Sequence, residues 1–425
     1  VVTGGEDLAA LVEGLDLVDH HCHALVGGDL DRSGFEALLG ESRATAPPGC
    51  SAFDTSLGLA VRSWCAPVLD LPAGAGPDAY VARRAALGAD EVNARMLAGG
   101  ARRLLVDTGY RSDELVSLDR MAGWAGGTVG EIARLETLAE GVAAALVGRG
   151  PATAAHAYPD ALAAAMADAM SGTGSRTATW AGAGAGAGGG RGGVVGWKSV
   201  AAYRGGLDLD WSRPGPVEVR AAAAEWLAAG PSDAQAGPVW RLEHPVLIRH
   251  GVWAAVDTGL PLQFHTGFGD TDARLRQSDP ALLWDLLAAT ADRGTALMLL
   301  HCWPFHRGAG HLAAVWPHVH LDVGEALPHV GERAAAVLAE TLELAPWHKV
   351  LYSSDAFGLA ELFHLGVVTT RRALVAALAP LAGAGLDAAE LARLGTLVTA
   401  GNATRAYGLP TPGTAASSPD GPGGR

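Results

Sequence analysis

The sequence is short of basic residues: 31 Lys and Arg stand against 45 Asp and Glu, a formal net charge of −14 over 425 residues. Acidity on that scale argues against nucleic acid or an anionic membrane as the principal partner, since both repel a negative surface. Cysteine is scarcer still. Cys22, Cys50, Cys65 and Cys302 are widely spaced without a C-x-x-C pair. Neither a disulfide framework nor a structural zinc knuckle is indicated, and a reducing, cytoplasmic setting fits. No continuous apolar run reaches the length of a membrane span, and Val1 to Ala10 lack the basic and apolar regions of a signal peptide, so neither anchoring nor export is expected.

Several routes to chemistry are missing too. Gly184, Gly186 and Gly189 satisfy G-x-G-x-x-G, but a strand is expected after them, so no helix N-terminus is available for a phosphate. Gly196-Trp197-Lys198-Ser199 lacks the spacing of a Walker motif, and no G-x-S-x-G elbow occurs, which removes the usual signs of nucleotide binding and of a nucleophilic serine.

What is present is an apolar, globular composition, 49% hydrophobic and 18% charged. Eight times over, a short apolar run ends in a polar residue and precedes an Ala/Leu-rich stretch. The runs are Leu15 to Asp19, Arg103 to Asp107, Thr128 to Leu135, Val194 to Val200, Leu260 to His265, Ala296 to His301, His318 to Val323 and Lys349 to Ser354. Helices are expected between them, for example over Pro216 to Ala229, Asp279 to Asp292 and Gly331 to Leu344. Strand then helix, eightfold, predicts an α/β fold of the (β/α)8 TIM-barrel class over residues 1–409; a doubly wound sheet shares most of the pattern. Phe53 to Leu69 and Pro77 to Leu97 carry helical spacing, so a helical insertion over 34–100 is expected to cap one mouth of the barrel. Ala181 to Gly193 reads as a flexible Gly/Ala-rich loop and 410–425 as a disordered tail.

The histidines carry the chemistry. Asp19-His20-His21-Cys22-His23 lies at the end of the first run, His265 ends the fifth, His301 ends the sixth and Asp355 follows the eighth. In a barrel the C-terminal strand ends ring one mouth, so these side chains converge. His21 and His23, two apart on an extended segment, share a face, and imidazoles with a carboxylate suit a divalent metal, zinc first and manganese second, as one ion or two. Lys198, in the fourth run, is expected at the same mouth. Beside a cation it would be neutral or carbamylated, or it would instead salt-bridge a substrate carboxylate. Cys22 is expected to point away from the metal. Arg134 and Glu136 at the third strand, Arg204 after the fourth, Asp270 after the fifth and His306 after the sixth are candidates for binding a small-molecule substrate, the arginines as anchors for a carboxylate.

These blocks resemble the amidohydrolase superfamily, in particular an amidohydrolase-related branch found alone or fused to a glutamine synthetase type I-like domain. The resemblance runs from VDHHCH at Val18 to His23 through GWKSVAAYRGGL at Gly196 to Leu207, PLQFHTGFGD at Pro261 to Asp270, LLHCWPFHR at Leu299 to Arg307, HLDVGEALP at His320 to Pro328 and LYSSDAFGLAEL at Leu351 to Leu362, to GNATRAYGL at Gly401 to Leu409. It implies His21, His23, His265, His301 and Asp355 as metal-site residues, Lys198 at the position of a carboxylated bridging lysine, and no ligand role for His20. The departures are the Gly/Ala insertion and Glu325, which is expected to turn away from the pocket. The resemblance implies hydrolysis of an amide, such as a γ-glutamyl amide or similar amino-acid conjugate, with Asp355 as proton shuttle and His301 as a second catalytic group. Decarboxylation or isomerisation of a small carboxylic acid is the nearest alternative, and a non-catalytic scaffold linked to nitrogen metabolism a more distant one. A homo-oligomer is compatible with all three.

Overall fold

Most strands of the main sheet are buried on both faces, as expected of parallel sheets covered by crossover helices, although Thr128–Arg134 is only partly buried. A computed structural model describes residues 5–42, 46–111, 114–172, 193–234 and 237–410. Among these, nine strands occur: β1 (Val18–Cys22), β2 (Arg103–Asp107), β3 (Thr128–Arg134), β4 (Gly196–Ser199), β5 (Ser232–Ala234), β6 (Gly237–Val239), β7 (Leu262–His265), β8 (Leu297–Leu300) and β9 (Val319–Leu321). Seven form one parallel sheet in the order β1-β2-β3-β4-β7-β8-β9. The antiparallel hairpin β5–β6 stands apart and was not expected from sequence, so the fifth to seventh expected strands are β7 to β9.

Side-chain alternation assigns the two faces. In β8, Leu297 and Leu299 join the large cluster that packs the helices outside the sheet, while Met298 and Leu300 join Val18, Leu105, Ile132, Leu351 and Tyr407 in a smaller one. Between β9 and β1 the eighth expected run is extended without forming a regular strand. Leu351 N–H donates to Leu321 O at 2.9 Å on one side, and His20 N–H donates to Tyr352 O at 3.1 Å on the other. This segment spans the two edges of the sheet and makes the architecture barrel-like.

Sequence and structure differ at several boundaries. The first strand is Val18–Cys22 rather than Leu15 to Asp19, because the run Asp19-His20-His21 is itself buried strand. Phe53 to Leu69 is broken into short helical turns, Ala52–Asp54, Ser56–Ala60, Val61–Cys65 and Ala66–Val68. Pro77 to Leu97 is two helices, Pro77–Leu87 and Ala89–Leu97, because Gly88 at φ 81° adopts a conformation closed to most side chains. Pro216–Ala229 is one helix, as expected. Asp279 to Asp292 and Gly331 to Leu344 each begin with a 3₁₀ turn before a shorter α-helix. Residues 181–192 and 411–425 lie outside the described residues.

The helix Ala360–Gly383 has the length and composition of a membrane span. It carries Arg371 and Arg372 near its centre and buries Phe363, Leu365, Val367, Ala373, Leu374 and Leu378 in the hydrophobic clusters, as a core helix does.

Candidate metal centre

β1 brings His20, His21 and Cys22 into the interior on alternating faces. Cys22 joins the hydrophobic cluster and donates to Leu105 O at 3.6 Å, away from the histidine imidazoles. His20 also points elsewhere, its Nε2 lying 3.0 Å from Asp322 Oδ2 and its Nδ1 3.2 Å from the Tyr407 hydroxyl. His21 Nε2 lies 2.9 Å and His23 Nε2 3.4 Å from Asp355 Oδ1, and His301 Nδ1 lies 3.7 Å from Asp355 Oδ2. Three histidines, from β1, the loop just after it and the end of β8, thus meet around the carboxylate of the closing segment.

The backbone supports that convergence. His301 and Asp355 have φ of 66° and 49°, a left-handed region that non-glycine residues enter at a cost and that concentrates at functional sites. Asp355 N–H donates to His21 O at 3.1 Å, which ties the closing segment to β1 at the site itself.

Burial opposes charge throughout the cluster. It lowers His21 to about 3 and His301 to about 4, and His265 well below the ordinary imidazole value, so all three are neutral and have a lone pair for a cation. Burial also disfavours the Asp355 charge, but His301, His21 and His23 more than offset this and hold the carboxyl well below the usual range. Lys198, 2% exposed, lies 2.8 Å from His21 Nε2, and burial pulls its pKa down against the attraction of Asp107 and Asp355.

His21, His301 and Asp355 place one ligand atom each within 4.8 Å of one another, and so do His21, His23 and Asp107. His21 Nδ1, both His301 ring nitrogens and Asp355 Oδ1 are buried without a hydrogen-bond partner among the described residues. Buried polar atoms are ordinarily paired, so this nitrogen and oxygen set fits a divalent cation. His265 adjoins it with ring centroids 4.6 Å from His301, but its Nε2 is engaged by Phe268 O at 3.0 Å and it joins neither ligand group.

A cavity of about 710 Å³ opens on the cluster and is lined by His23, Lys198, His265 and Asp355 among others. Arg134, Arg204 and Asp270, candidates for substrate binding, are also in its lining. Both arginines have intramolecular partners, Arg134 Nη2 at 2.6 Å from Asp107 Oδ2 and Arg204 Nη2 at 3.1 Å from Glu140 Oε1. Glu136 and His306 are not in the lining. Glu136 sits in the first turn of the helix Leu135–Leu146, where it accepts from Ser199 Oγ at 2.7 Å and Val200 N–H at 3.1 Å. His306 opens the helix His306–Val315 and pairs with Glu340 Oε2 at 2.9 Å. Both are held by partners within the fold and do not line the cavity. Glu325, expected to turn away, faces inward: it is 5% exposed, lines the cavity and lies 3.3 Å from His301 Nδ1.

Sequence reasoning passed over Asp107, Glu41, His329 and Tyr203. Asp107 ends β2 with the same apolar-run-then-carboxylate signature that marked Asp355. The other three carry no such signal. Glu41 and His329 lie in irregular or short segments, and Tyr203 reaches the site by packing on His265, ring centroids 4.3 Å apart. Burial, then Asp355 and Asp270, pushes Glu41 up to about 7.

Comparison with known proteins places this geometry. The crystal structure of a "putative metal-dependent hydrolase" from Lactobacillus casei is 28% identical, with TM-score 0.73 over 94% of this chain and 97% of that one. Uronate isomerases from Thermotoga maritima and Bacillus halodurans share the fold, with TM-scores 0.56 and 0.57 over 95% of this chain and 97% and 96% of theirs, at 13% and 12% identity. Protein fluG of Emericella nidulans is 35% identical over 189 residues, 43% of this chain and 22% of that protein, so the match spans about a fifth of that relative's length. The amidohydrolase family model matches residues 142–409, well over half of the chain and including β4, β7, β8 and Asp355. The chain belongs to the amidohydrolase family.

Proposed function

We propose that the protein is a metal-dependent hydrolase of a non-peptide C–N bond, acting on a small amide such as a γ-glutamyl amide or a similar amino-acid conjugate. The observation that carries this reading is Asp355, a carboxylate kept ionised in a buried site at the meeting point of His21, His23 and His301. Those four residues would hold a divalent ion, zinc first, with His265 and Lys198 adjoining. Such an ion polarises a carbonyl and lowers the pKa of water. We read the sheet with its closing segment as a complete (β/α)8 barrel, the scaffold on which such sites form at the strand ends.

In this mechanism Asp355 accepts the proton of the attacking water and delivers it to the leaving amine. His301, held beside it by its strained backbone, orients the reacting carbonyl. Lys198, whose pKa burial lowers, fixes His21 through the 2.8 Å contact. A cavity of about 710 Å³ admits a small conjugate and excludes a folded polypeptide.

Isomerisation of a sugar acid is the second reading, favoured by the fold shared with the uronate isomerases. Incubating metal-replete protein with γ-glutamyl and neutral amides, and separately with uronates, distinguishes the two. Amine release from an amide supports hydrolysis, whereas mass-neutral conversion of a uronate without amine release overturns it.

A further inference from the structure

The charges around the cavity do not balance in the way a carboxylate-binding site requires. Arg134 is matched by Asp107, Arg204 by Glu140, Arg111 by Glu114 and Arg241 by Glu243. Each guanidinium already faces a carboxylate of this chain. Glu41 and Glu325 line the same cavity, and among the described residues neither is in direct contact with a Lys or Arg, Lys198 attracting Glu325 only from a longer distance. Glu325 is 5% exposed, and its Oε2 is buried without a hydrogen-bond donor. The nearest basic atom, His301 Nδ1 at 3.3 Å, belongs to the metal-ligand set. Glu41, Glu325 and His329 place one ligand atom each within 4.8 Å of one another.

We propose that Glu41, Glu325 and His329 form a cation subsite that receives the protonated amine of the substrate. Two carboxylates and one imidazole nitrogen supply three acceptors, and an alkylammonium carries three N–H donors. An ammonium seated there satisfies the orphaned Glu325 oxygen and favours the ionised form of both carboxyls. The subsite touches His301 through Glu325, so the amine sits next to the reacting centre rather than at the rim. The inference rests on reading the cavity as the substrate site of a hydrolase and narrows its substrates to amides that bear a cationic amine. A free divalent ion presents the same chemistry to these donors, and the experiment separates the two sources.

The test is calorimetric binding of 1,4-diaminobutane to zinc-loaded protein at pH 8, with uncharged 1,4-butanediol as control, in the wild type and in Glu41→Gln and Glu325→Gln, with zinc per chain measured in all three. The expected result is diamine binding at least tenfold weaker in either variant, no diol binding and unchanged zinc content. Equal diamine affinity in all three proteins overturns the proposal. Loss of zinc in the variants, with no diamine binding to the wild type, overturns it in favour of a metal site. Should Glu325→Gln fail to fold, Glu41→Gln decides alone, since Glu41 lies in no helix or strand. Binding is read without turnover, so the hydrolase reading fails separately: no amine release from any amide, with the tenfold discrimination intact, overturns hydrolysis and upholds the subsite.

Discussion

The backbone N–H of His301 donates to Asp322 Oδ1 at 3.0 Å and so holds the histidine in its left-handed conformation. The same oxygen accepts from Gly324 N–H at 3.0 Å and Ser353 Oγ at 2.8 Å, while Oδ2 faces His20 Nε2 at 3.0 Å. Asp322→Ala leaves these donors without an acceptor in a fully buried place. It is expected to cost about 3–5 kcal/mol, as when one partner of a buried charged network is removed. Urea denaturation measures the loss, and a midpoint within experimental scatter of wild type would show that water replaces the carboxylate.

Metal content is the most direct check on the cluster. Metal-replete protein is expected to hold at least one equivalent of a divalent transition ion, and His301→Ala well below that of the wild type. Chelation should lower Tm, because an ion at a hundred times its Kd stabilises the folded state by about 2.7 kcal/mol. Elemental analysis and a thermal melt with and without chelator read both outcomes.

Asp355→Asn keeps an oxygen donor but loses the proposed base. Turnover is expected to fall by about 10²–10⁴-fold, the usual range for a positioned proton acceptor, with Tm within a few degrees of the wild type. Activity near the wild-type level would assign the proton transfer to another group.

These roles were legible in unequal measure. Apolar runs closed by His or Asp gave away β7, β8 and Asp355, since a strand end is marked by a polar residue after a hydrophobic stretch. β1 was displaced because Asp19, His20 and His21 are buried and polar, so hydropathy ended the strand where it in fact begins. Glu136 was misplaced because β3 stops at Arg134 and the helix starts at Leu135, which swings Glu136 towards Ser199. Glu325 and Glu41 could not be read as neighbours, since distant loops are brought together only by tertiary folding.

Arg204 tests the pairing of the cavity arginines. Its ion pair with Glu140 is largely shielded, with side chains 13% and 15% exposed, and Glu140 Oε1 also accepts from Leu242 N–H at 2.9 Å. Arg204→Met strands that carboxylate and is expected to reduce stability by about 1–3 kcal/mol. Were Arg204 a substrate anchor alone, stability would be unchanged and KM for a carboxylate-bearing amide would rise instead.

Acid sensitivity should come partly from outside the metal site. Burial, then Lys349, lowers His318 to about 4 and His320 to about 3. The unfolded chain protonates these imidazoles near pH 6.5 whereas the folded protein resists, so stability is intact above that pH and falls as pH drops through 6.5 towards 4. His320→Gln removes one such group and is expected to flatten the decline in urea midpoint between pH 7 and 4.5.

The bond from Asp355 N–H to His21 O has a consequence for the order of synthesis. His21 leaves the ribosome more than three hundred residues before Asp355, and until the closing segment arrives the early histidines lack the carboxylate they surround. A nascent chain therefore carries His21 and His23 without Asp355 throughout most of its translation. The four side chains of the proposed metal site then come together in a single late step, when the closing segment docks against the first strand.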